Sequence, residues 1–74
     1  MEAIRKVSIG ADYKNSMYYI LGQPVLKGEY VIEHIENSKD VIKIWIKNIE
    51  KKEIVCWKSF NKNMPISFEY NIDF

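Results

Sequence analysis

The sequence predicts an α+β domain: one short helix near the N-terminus packed on a curled antiparallel sheet of four to five strands, a meander or an SH3-like barrel. Three observations lead there. Residues 41 to 49, "VIKIWIKNI", and 66 to 74, "ISFEYNIDF", alternate apolar and polar side chains with the period of two that marks a half-buried strand. The connections between the strand-like segments are about three to five residues long, too short for parallel crossovers. One segment, 13 to 21, carries helix start and stop signals instead.

In chain order, "AIRKVSI" at 3 to 9 is rich in β-branched residues and ends at Gly10, so it reads as a first strand. Asp12 is a suitable N-cap, Gly22 suits a left-handed C′ position and Pro24 is a breaker, which brackets a helix over 13 to 21. At 100° per residue, Tyr13, Met17, Ile20 and Leu21 share an arc of about 100°, Tyr18 sits about 60° beyond its edge at a boundary position, and Tyr19 points away beside Asn15. The linker "GQPVLKG" leads to "EYVIEHIE" at 29 to 36, a strand that mixes two half-alternations. In 41 to 49, Ile42, Ile44 and Ile46 occupy one face and Lys43, Trp45 and Lys47 the other. A turn at 50 to 52 precedes a strand at 53 to 60, with either Val55 and Trp57 or Ile54 and Cys56 inward. In the last strand Ile66, Phe68, Tyr70, Ile72 and Phe74 form the buried face.

Seventy-four residues form a single domain that buries only about 60% of its unfolded surface, so self-association is an expected reinforcement. A net charge of +1 with interspersed signs argues against duplex DNA as a partner. The start "MEAIRKVSIG" has no signal-peptide run and no apolar stretch reaches membrane-span length, while one cysteine fits a reducing compartment; the expected location is cytoplasmic.

The catalytic inventory is short. His34 is the only imidazole and Cys56 the only thiol, and both fall in strand patterns. One Cys and one His do not make a four-ligand zinc site without several carboxylates, and "GQPVLKG" lacks the spacing of a phosphate-binding loop. Glu33, Glu36, Glu69 and Asp73 stand where a solvated strand face places charges. The expectation is a non-enzyme without a cofactor or metal. Binding has better material: Trp45 between Lys43 and Lys47, with Lys58 on the next strand, offers a stacking ring beside phosphate-binding ammonium groups. Asn15 and Tyr19, on the far side of the helix stripe, complete the candidate contacts.

The stretches "IRKVSIGADYKNSMYYILGQPV" at 4 to 25 and "NMPISFEYNIDF" at 63 to 74 resemble small early or accessory proteins of T-even-like tailed bacteriophages. Twelve isoleucines, ten lysines and six asparagines beside one arginine agree with the AT-rich genome this resemblance implies. It implies a host-cytoplasmic, non-enzymatic protein that inhibits a host or defence protein or sequesters a nucleotide signal. The alternative is a module that binds single-stranded nucleic acid or a nucleotide through Trp45 and its lysines. No family motif assigns site residues.

Overall fold

The computed structural model describes residues 3–10 and 17–70. Seven strands appear in the order β1 (Ile4–Ile9), β2 (Met17–Ile20), β3 (Pro24–Val25), β4 (Tyr30–Asn37), β5 (Val41–Asn48), β6 (Ile54–Asn61) and β7 (Ile66–Tyr70). They form two antiparallel sheets, β2-β1-β7 and β3-β4-β5-β6, of which one curls into a half-barrel. There is no helix among the described residues.

The α+β expectation is therefore corrected to all-β. Of the expected helix, Met17–Ile20 is a strand, Leu21 begins a turn, and Tyr13 and Asn15 lie outside the described residues. The physical reason lies in "MYYI", three of whose four side chains prefer a pleated surface and which pairs with β1 from Ile9↔Met17 to Lys6↔Ile20. Gly22, with φ +83°, serves a tight turn instead of a helix end. The Gln23 N–H donates to the Ile20 carbonyl at 2.9 Å, which places Gly22 at the turn position that needs a positive φ. A second turn, closed by the Gly28 N–H on the Val25 carbonyl at 3.1 Å, holds Leu26 and Lys27 at φ 53° and 58°, the left-handed conformation that a primed hairpin turn requires.

The β4-β5-β6 meander forms as the short connections suggest. The last strand leaves it: β7 pairs with β1 from Ile9↔Ile66 to Ile4↔Tyr70, with Arg5 bulged. The chain reaches β1 through Asn61–Pro65, pinned by Lys62 N–H on the Asp40 carbonyl and Gly10 N–H on the Pro65 carbonyl.

The core draws on both sheets: Val7, Ile9 and Tyr19 from the first, and Ile32, Ile35, Ile42, Ile44 and Ile46 from the second. Each such side chain contributes about 1.5–3 kcal/mol by leaving water. Tyr19 closes this interior against β6, its ring edge-on to Trp57 at 5.9 Å and tilted against Phe60 at 5.7 Å. The expectation that Tyr19 faces away from the core is thus overturned; it is 9% exposed. Helical angles put it opposite the stripe, whereas on a strand it shares a row with Val7, its partner in β1. Of the expected buried face of the last strand, Ile66 and Phe68 pack on the core's margin, partly buried, Tyr70 is instead 44% exposed at the strand's end, and Ile72 and Phe74 lie outside the described residues.

Candidate functional site

The outward face of the four-stranded sheet is built row by row. Because the three isoleucines of β5 point inward, Lys43, Trp45 and Lys47 point out, and all three are half-buried. Opposite Trp45 stand His34 on β4 and Cys56 on β6. Opposite Lys43 stand Glu36 and Ser59, and opposite Lys47 stand Val31 and Ile54. The expected grouping of Lys43, Trp45 and Lys47 is present as three neighbours along one strand.

Both strands beside Trp45 carry a bulge at its level. Glu33 is the extra residue in β4, where Ile32 and His34 face Ile46 and Trp45; Trp57 is the extra residue in β6, where Lys58 and Cys56 face Ile44 and Trp45. A bulge re-aims the side chains beside it. On β4 it lets Ile32 and Ile35 both point inward, which accounts for the two half-alternations. On β6 it turns Trp57 and Lys58 together toward the inner side. This resolves the open choice of faces in favour of Val55 and Trp57, although Val55 sits at the rim and stays 45% exposed.

Lys58 does not join the Trp45 group. Its ammonium lies over the Trp57 ring, 4.9 Å from the centroid. Lys43 reaches Glu36 Oε2 at 4.0 Å. Lys47 has no ion-pair partner among the described residues. Tyr19 is core, and Asn15 lies outside the described residues.

Ser38 Oγ donates to Glu36 Oε2 at 2.7 Å and so holds the Glu36 carboxyl below the usual carboxylate range; desolvation opposes this, and Lys43, His34 and the Trp45 N–H add to it. Trp45 Nε1 is itself buried and closes no hydrogen bond among the described residues. His34 and Cys56 flank Trp45 from opposite strands. Two strand spacings separate them by about 10 Å, so they do not form a nucleophile and base pair.

Around the edge of β4 the face continues into an open cleft of about 490 Å³, with Ile4, Leu21 and Ile35 along it and Glu33, His34 and Glu36 at its rim. The sequence gives little sign of this cleft, because β1 and β4 lie in different sheets. Equally hidden is the outer edge of β6, where Ile54 and Val55 are 51% and 45% exposed and Cys56 is also exposed. The run "IVCW" has an ordinary strand composition, and only the strand order shows that nothing described pairs with its far side.

No family model matches the chain, and no curated protein or solved structure matches it either.

Proposed function

We propose that this is a small non-enzymatic binding protein that engages a macromolecular partner through the outward face of β4, β5 and β6, with Trp45 at its centre. The observation that carries the reading is the pair of bulges flanking Trp45, which set a half-buried indole between Lys43, Lys47, His34 and Cys56. A large ring with little entropy to lose, ringed by charges of both signs and continuous with an apolar cleft, suits a protein surface. The phage resemblance of the two chain ends makes that partner a host or defence component and the setting the host cytoplasm.

Nucleotide or single-strand binding is the less favoured reading, because Lys43 is engaged by Glu36 and Lys58 lies over Trp57 on the inner side. Among the described residues, Lys47 is then the cation left near the ring. The test is capture from host lysate by wild-type protein and by Trp45→Ala, with fluorescence titration against oligonucleotides and cyclic nucleotides alongside. Specific capture lost in Trp45→Ala supports the proposal. A salt-sensitive fluorescence response without protein capture transfers the face to nucleic acid. Equal capture by both proteins refutes the site.

A further inference from the structure

We infer that the outer edge of β6 pairs with the same edge of a second copy of the chain, antiparallel, about a two-fold axis through Val55. The backbone gives the register. The Asn48 N–H donates to the Glu53 carbonyl at 2.8 Å, so these residues are a hydrogen-bonded pair of the β5–β6 ladder. Pairs alternate along an antiparallel ladder, and with Lys47↔Ile54, Ile46↔Val55 and Trp45↔Cys56 next in register, the N–H and C=O of Ile54 and Cys56 point away from β5. Among the described residues nothing meets them.

A strand edge with unpaired amides is a template for another strand, and proteins guard such edges with charge, proline or a bulge. The guards here stand at the ends of the exposed stretch. Glu53 precedes it, and the Trp57 bulge and Lys58 come after it; Ile54, Val55 and Cys56 have none.

The stretch complements itself. With Val55 on the axis, Ile54 faces Cys56 of the partner subunit as a hydrogen-bonded pair, and the two edges exchange four backbone hydrogen bonds. Val55 faces its own symmetry mate. Glu53 comes opposite Trp57 of the partner subunit on the inner side, over whose ring the Lys58 ammonium lies at 4.9 Å. Each carboxylate therefore meets an ammonium across the junction, twice per dimer. A strand of foreign sequence finds this match only by chance. Two copies joined this way extend two four-stranded sheets into one of eight strands. About five residues a side is small for an interface, which fits a dimer that forms in the micromolar range or above.

Sedimentation equilibrium from about 1 μM to about 500 μM tests association, and cysteine cross-linking tests the register. In a Cys56→Ser background, Val55→Cys places two thiols on the axis of a non-hydrogen-bonded pair, with Cα atoms about 4.5 Å apart, within disulfide reach. It should cross-link nearly completely under mild oxidation. Ser59→Cys in the same background, about 25 Å from its mate, should not. Val55→Lys, at an exposed position that leaves the fold intact by circular dichroism, should weaken association by ~100-fold or more. Three results overturn the inference: a monomer at every concentration, which leaves the edge to a foreign strand; a dimer that Val55→Lys does not weaken; or cross-linking of Ser59→Cys as readily as Val55→Cys.

Discussion

At the scale of single residues, backbone conformation and burial make opposite demands at two places. Leu26 and Lys27 both hold a positive φ, a conformation that costs an L-residue with a long side chain about 1–2 kcal/mol, and Leu26 is exposed, so its side chain recovers little. Leu26→Asn and Lys27→Gly should each raise stability by about 1 kcal/mol in urea denaturation. Tyr19 is the reverse case, a side chain whose contacts are extensive and whose polar atom is nearly idle. Among the described residues its hydroxyl reaches only the Met17 sulfur, at 3.9 Å. Tyr19→Phe should therefore be nearly neutral at pH 7, whereas Tyr19→Ala removes the ring between Trp57 and Phe60 and should cost about 3–5 kcal/mol. Burial also raises the Tyr19 phenol above its ordinary range. The folded state then holds its proton longer than the unfolded chain, so stability falls as the pH rises above the unfolded tyrosine value near ~10. Tyr19→Phe should lessen that alkaline loss in melts recorded across this range.

At the scale of elements, much of the sheet is legible in the sequence and the reasons for the failures are specific. Ile42, Ile44 and Ile46 alternate without interruption, and β5 sits as the sequence implies, buried on that face. Residues 17 to 21 mislead because glycine and proline signals serve turns as well as helices, and a four-residue strand leaves no periodicity of its own to compete. Trp45 falls on the expected face because its neighbours on β5 alternate. Lys58 does not, because one bulged residue reverses every face beyond it. The β5–β6 turn shows how local chemistry completes an element: Asn48 Oδ1 accepts the N–H groups of Glu50 and Lys51 at 3.0 and 2.7 Å. Asn48→Ala should cost about 1 kcal/mol, and Asn48→Asp should retain most of it, by the same denaturation assay. Phe68 is only partly buried at the rim of the core, so Phe68→Ala should fall at or below the lower end of the ~3–5 kcal/mol range for a buried ring.

At the scale of the whole molecule, the pairing of β7 with β1 joins the two ends of the described chain, a contact between residues some sixty positions apart. No local pattern announces such a pairing, which is why the final strand is legible as a strand and not as the neighbour of the first. The same scale governs stability. A chain this small gains from any partner that binds only its folded form, and the gain grows with concentration. The melting temperature should accordingly rise with protein concentration for the wild type and stay flat for Val55→Lys, as differential scanning calorimetry would show.

The two bulges beside Trp45 also determine how the chain tolerates loss of a residue. Removing any ordinary residue from the interior of β4 or β6 slides the remainder of that strand by one position and exchanges inside for outside. Glu33 and Trp57 are the exceptions, since each is the surplus member of its ladder. Deleting either straightens its strand and leaves every later side chain on the face it had. A scan of single-codon deletions should find folded protein at Glu33 and, with the loss of the Tyr19 contact, at Trp57, but not at Ile35 or Phe60. Beside Trp45, then, the sheet carries two spare positions where length can vary while the fold is kept.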